Sequence, residues 1–108
     1  MSSFQATGSG AMSETFSNRV HGKYLTEIRL HLSSAASTVE NFTVDLDSGA
    51  GSEYDVNIYT KAMSTVKDVV YTFNRPVRMT NAGDKIVCTY ANSDSRTWGL
   101  EIVYESKI

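Results

Sequence analysis

The chain has 108 residues, a formal net charge of −2, 41% hydrophobic and 20% charged residues, and one cysteine. That length suits one domain with a single core, and the weak negative charge offers no basic surface for phosphates, so no nucleic-acid partner is expected. No apolar run approaches the ~20 residues of a membrane-crossing helix, and the start lacks the basic and apolar stretches of a secretory leader, so neither a membrane partner nor export is expected.

Residues 1–19 differ in character from the remainder of the chain. Between Met1 and Ser17 lie five serines and two glycines, a composition too poor in apolar surface to offset its own ordering entropy. The expectation is a flexible, extended N-terminal arm that packs outside its own domain and orders against a neighbouring subunit; the alternative is a floppy terminus, in part a cloning remnant around residues 8–12. Phe4, Met12 and Phe16 punctuate it as anchors for a neighbouring subunit. Their spacing spans up to ~28 Å and ~14 Å in a stretched chain.

Residues 20–108 are expected to form the folded domain. Its signal is a repeated alternation of apolar and polar residues, the period of strands with one buried and one wet face. The first run, 20–32, places Tyr24, Thr26, Ile28, Leu30 and Leu32 on one face and Leu25, Glu27, Arg29 and His31 on the other. A small-residue loop, 33–38, leads to a second strand over 39–46. The turn Asp47-Ser48-Gly49-Ala50-Gly51-Ser52 favours a hairpin into a third strand over 53–60. After a connection at 61–65, the run 66–73 is β-rich, but Val69, Val70 and Tyr71 are apolar on both phases, which marks a strand covered on both sides or one at a subunit contact. Pro76 interrupts the next run, so 77–79 reads as a short edge strand. Turns at 81–84 and 92–95 flank a strand over 86–90, and the last strand covers 97–104. About eight short strands and no helix longer than a turn predict an all-β, antiparallel β-sandwich of jelly-roll type.

The chemistry-bearing residues give little. Cys88 falls in the apolar phase of its strand and reads as a small buried hydrophobe. His21 and His31, ten residues apart on one strand, stand about 33 Å apart and cannot share a metal. Asp45-Leu46-Asp47-Ser48-Gly49 has the look of a calcium loop, but the twelfth position from Asp45 is Val56, which offers no ligand oxygen. An irregular site using Glu53 and Asp55 is the alternative to a polar strand end entering a glycine turn. No serine sits in a Gly-x-Ser-x-Gly elbow, and Gly8-Ser9-Gly10 neither follows a strand nor opens a helix. No catalytic residue, cofactor or metal is therefore assigned.

Tyr24, Tyr54, Tyr90, Trp98 and Tyr104 share the phase of the aliphatic core, which leaves Tyr59 as the ring pointing outward and argues against an aromatic sugar platform. Acids cluster at 40–55 (Glu40, Asp45, Asp47, Glu53, Asp55) and bases at 61–85 (Lys61, Lys67, Arg75, Arg78, Lys85). If these segments lie at different edges, they orient a head-to-tail ring.

The second half resembles small β-sandwich structural proteins of tailed bacteriophages. The stretch runs from Tyr71-Thr72-Phe73-Asn74-Arg75-Pro76-Val77-Arg78-Met79 through Asn81-Ala82-Gly83-Asp84-Lys85-Ile86 and Thr89-Tyr90-Ala91-Asn92 to Arg96-Thr97-Trp98-Gly99-Leu100-Glu101-Ile102. The resemblance implies a non-enzymatic virion protein, made in the host cytoplasm, that decorates or cements the head or joins a capsid- or tail-associated assembly. Its expected partners are copies of itself, a trimer foremost, and a larger shell or tail protein. Subunit contact is expected at Phe4, Met12, Phe16, Val69, Val70 and Tyr71. The alternative is a β-sandwich module that binds a glycan or receptor.

Overall fold

The structure is a computed structural model that describes residues 2–17, 23–79 and 83–106. Eight strands account for most of it: β1 (Ser2–Gly8), β2 (Met12–Ser17), β3 (Lys23–Leu32), β4 (Asn41–Asp47), β5 (Val56–Ala62), β6 (Asp68–Met79), β7 (Lys85–Tyr90) and β8 (Trp98–Ser106). One 3₁₀ turn, Ser52–Tyr54, precedes β5. The first strand pairs with the last, the second with the seventh, the third with the sixth and the fourth with the fifth, all antiparallel. Two further pairings, β3 with β8 and β4 with β7, complete sheets of order β1-β8-β3-β6 and β2-β7-β4-β5. A long antiparallel ribbon rolled up in this way is the eight-stranded jelly roll. The all-β, antiparallel sandwich expected from the alternation is what the chain forms.

The expected N-terminal arm is corrected. Residues 2–17 supply one strand to each sheet, and Met12 and Phe16 are only 3% and 5% exposed within this chain's own core. Phe4 packs its ring 5.7 Å from Phe16, which in turn sits 4.6 Å from Tyr104. These side chains are anchors inside the sandwich, not on a neighbour. The domain therefore includes them, and its boundary does not fall at residue 20. The stretch at 8–12 is the turn of the β1–β2 hairpin: Trp98 Nε1 and Asn92 Nδ2 both donate to the Gly10 carbonyl, and a Cβ on Gly8 would stand 2.8 Å from the Trp98 ring.

Two bulges reset the expected faces. Thr26 has no register partner on β6 or β8, so Leu25 turns inward alongside Ile28, Leu30 and Leu32 while Tyr24 stays partly exposed. Thr26 Oγ1 donates to the Val103 carbonyl at 3.0 Å. On β5, Ile58 is the extra residue between the pairs Val44–Tyr59 and Asp45–Asn57. Tyr59 thereby faces Phe42; Tyr54, expected in the core, is exposed because it ends the 3₁₀ turn ahead of β5 instead of lying on the strand. A bulge shifts every later side chain by one phase, which strict alternation cannot anticipate.

The strands expected at 66–73 and 77–79 are one continuous strand, β6. Between the pairs Thr72–Glu27 and Val77–Leu25, residues 73–76 arch away from β3. Pro76 is accommodated because β6 is an edge strand and the arch makes no ladder bond that proline would break.

Candidate functional site

Two surfaces stand out. The first is the outer face of the β1-β8-β3-β6 sheet, where the register lines up side chains in rows. Thr7, Gly99, His31 and Asp68 are neighbours across all four strands; so are Gln5, Glu101, Arg29 and Val70; so are Ser3, Val103, Glu27 and Thr72. Gln5, Glu101, Arg29, Glu27 and Thr72 form one chain of hydrogen bonds, and His31 and Asp68 form a separate pair beside it. Gln5 Nε2 and Arg29 Nη1 each donate to Glu101 at 3.2 Å, Arg29 Nε donates to Glu27, and Thr72 Oγ1 donates to Glu27 at 2.8 Å. His31 Nδ1 meets Asp68 Oδ1.

These contacts favour the ionised forms. The hydrogen bond from Thr72, ahead of that from Arg29, holds Glu27 below the usual carboxylate range, and the Gln5 amide does the same for Glu101. Glu27 in turn raises the Arg29 guanidinium. A hollow of about 540 Å³ lies over the first two rows, floored at Gly99, which has no side chain to fill it. Sequence reading placed Glu27, Arg29 and His31 on a wet face but could not assemble the network, because its other members come from β1, β6 and β8.

The second surface is the flank where the edge strands β5 and β6 meet. The Tyr59 and Tyr71 rings stack at 4.3 Å, and Phe73 abuts Tyr71 edge-on at 4.9 Å. Burial is the main cause that raises the Tyr59 hydroxyl above its ordinary range, with Tyr71 adding to it. Val70 is 67% exposed, Val56 52%, Tyr54 63% and Tyr71 38%, although Val70 belongs to the outer face of the sheet. Of the three β6 residues expected at a contact, Val69 is instead buried in the core, while Val70 and Tyr71 do reach the surface.

The acidic and basic segments do not lie at separate edges. Asp47 on β4 is the register partner of Lys85 on β7, within one sheet, so this geometry does not supply the charge separation needed for a head-to-tail ring. The carboxylates around the 47–55 turn are engaged in holding it: Asp55 accepts from the Ser48 amide at 2.7 Å, Asp84 from the Gly49 amide at 2.8 Å, and Asp45 from Asn57 Nδ2 at 2.8 Å. Among the described residues no three His, Cys, Asp or Glu side chains gather as a metal site. His21 lies outside the described residues, as do positions 18–20 and 80–82. Cys88 is buried, and desolvation pushes its thiol up to about 12.

No protein-family model matches the chain, and no curated protein matches it either.

Proposed function

We propose that this protein is a non-enzymatic assembly module that self-associates through the β5–β6 flank, most simply as a trimer, and docks on a larger protein shell. The observation that carries the reading is the stacked Tyr59–Tyr71 pair, held at the join of two edge strands with Tyr71 partly exposed, while Val56 on β5 and Tyr54 ahead of it are also exposed. Exposed apolar surface of this kind is costly to leave wet and suits burial against another subunit. The open half of β6, Asp68 to Thr72, presents an unpaired strand edge to which another chain can add. Its other half is blunted by the arch, Arg75, Pro76 and Arg78, which limits where pairing starts. The resemblance of residues 71–102 to phage structural proteins supplies the setting, a tailed-phage virion with head decoration foremost.

Light scattering on the purified protein tests the association. The expected outcome is a defined oligomer that Tyr71→Asp converts to a folded monomer. A wild-type monomer at high micromolar concentration overturns self-association. Flanking genes for capsid or tail proteins support the virion setting; their absence counts against it.

A further inference from the structure

Gly99 lies near the start of β8, an inner strand flanked by β1 and β3. Glycine inside a strand weakens it, through lost conformational entropy and a missing side chain to pack. Gly10, equally open, lies in the β1–β2 turn and outside any strand, and three further glycines have a structural reason. Gly51 and Gly83 adopt φ of 135° and 88°, and Gly8 lies too close to Trp98 for a Cβ. Gly99 has neither reason: its φ is not in the left-handed range, and a Cβ built on it would meet nothing within 4 Å. What its missing side chain provides is empty space, the floor of the hollow between Thr7 and His31.

We propose that this hollow is a binding site for a neutral saccharide unit, which sits over Gly99 against Val70 and is held by Gln5, Arg29, His31 and Asp68. At about 540 Å³, the hollow falls within the ~300–1,000 Å³ of ordinary small-ligand sites.

The chemistry of its rim selects the ligand. Two carboxylates, Asp68 and Glu101, line it against one guanidinium, Arg29, so an anion meets repulsion. Each carboxylate already has a hydrogen-bond partner, so a cation gains little by replacing it. What is left over is a mixed set of short-range groups. Arg29 Nη2 is a donor without an acceptor among the described residues. Asp68 Oδ2 and Gln5 Oε1 are acceptors without a described donor. His31 Nε2 is a further polar atom without a described partner. Hydroxyls both donate and accept, so a ring bearing neighbouring hydroxyls satisfies such a set, whereas an apolar ligand strands it. The exposed Val70 side chain supplies the apolar contact for a sugar's C–H face. No Phe, Tyr or Trp ring lines the hollow, so affinity for one sugar unit is expected in the millimolar range and gains from repetition in an oligomer.

The test is a two-dimensional amide NMR titration of the ¹⁵N-labelled protein with maltotriose, cellotriose, chitotriose, lactose and mannobiose. The expected result is a set of saturable shifts at Thr7, His31, Asp68 and Gly99 with at least one of them. Gly99→Val fills the hollow without a backbone clash, and Asp68→Ala removes a rim acceptor from an exposed position; both are expected to abolish those shifts while keeping a dispersed spectrum. Tyr71→Asp, which alters the flank instead, is expected to retain them. The proposal is overturned if none of the sugars shifts these amides, or if the shifts survive both Gly99→Val and Asp68→Ala. It is also overturned if inorganic phosphate or a lysine-rich peptide gives the shifts in place of the sugars. Sugar-independent shifts that grow with protein concentration and vanish in Tyr71→Asp assign the hollow to a second copy, and they overturn it too.

Discussion

The indole N–H of Trp98 donates to the carbonyl of Gly10 at 2.9 Å, joining residues 88 positions apart in the chain. Asn92, itself buried and at φ 53°, donates to the same carbonyl and to that of Ser9, and it accepts from the Arg96 amide. The β1–β2 hairpin is thus fastened to the start of β8 at one polar knot. Removing residues 1–17 takes away a strand from each sheet, two core side chains and the Trp98 acceptor. The truncated protein is expected to lose its cooperative thermal transition and its near-ultraviolet dichroism. A truncated form that melts like the full chain would restore the arm reading. Within the full chain, Trp98→Ala or Phe16→Ala is expected to cost about 3–5 kcal/mol in urea unfolding, the usual range for emptying a large aromatic core site.

Gly8 and Gly10 give a paired comparison. A Cβ at Gly8 meets Trp98 Cζ2 at 2.8 Å, and that ring atom belongs to a buried side chain with little room to yield. Gly8→Ala is expected to destabilise by about 1–3 kcal/mol through overpacking. A Cβ at Gly10 meets nothing within 4 Å, so Gly10→Ala should unfold near the wild-type urea midpoint. Equal midpoints for the two variants would show that the close approach to Trp98 is not a constraint.

Tyr90 offers the opposite sign. Its ring is 1% exposed, and its hydroxyl has no hydrogen-bond partner among the described residues; burial, the largest influence, raises its pKa. A buried hydroxyl left unpaired costs about 1–3 kcal/mol. Tyr90→Phe removes that penalty while keeping the ring, so its urea midpoint is expected at or above wild type. A loss of more than about 1 kcal/mol would mean that the hydroxyl is satisfied.

Much of this architecture can be read from period-two runs, but register and phase cannot. The β7 and β8 strands follow their alternation, with Ile86, Cys88 and Tyr90, then Trp98, Leu100 and Ile102, all buried. The N-terminal strands carry the same signal in weaker form. Met12, Glu14 and Phe16 share one phase of β2, as Phe4, Ala6 and Gly8 do in β1, but serine, threonine and glycine between them lower the hydrophobic contrast. Their stability comes from pairing with β7 and β8, a tertiary effect that composition does not report. The bulges at Thr26 and Ile58 are likewise set by partner strands. The outer-face network needs residues from four strands brought into register, and only Gly99, a glycine within an alternating run, marked the place in one dimension.

A polar staple between two loops gives a prediction in pH. Asp94 accepts from the Ser37 and Thr38 amides, each at 2.9 Å, and from Thr38 Oγ1 at 2.8 Å, tying the 92–95 turn to the 33–38 loop. These bonds, the Thr38 amide foremost, hold its pKa below the ordinary value of 3.8. A carboxylate depressed in the folded state contributes stability that is complete above its unfolded pKa and disappears as pH falls through the folded one. Asp94→Asn carries no such charge. Its urea midpoint is expected below wild type at neutral pH, and the gap should close as the pH falls below the ordinary carboxylate range. Other carboxylates titrate in both proteins, so the difference between the two curves isolates Asp94. A gap that stays constant across that range would mean the staple depends on shape alone, with no contribution from the ionised carboxylate.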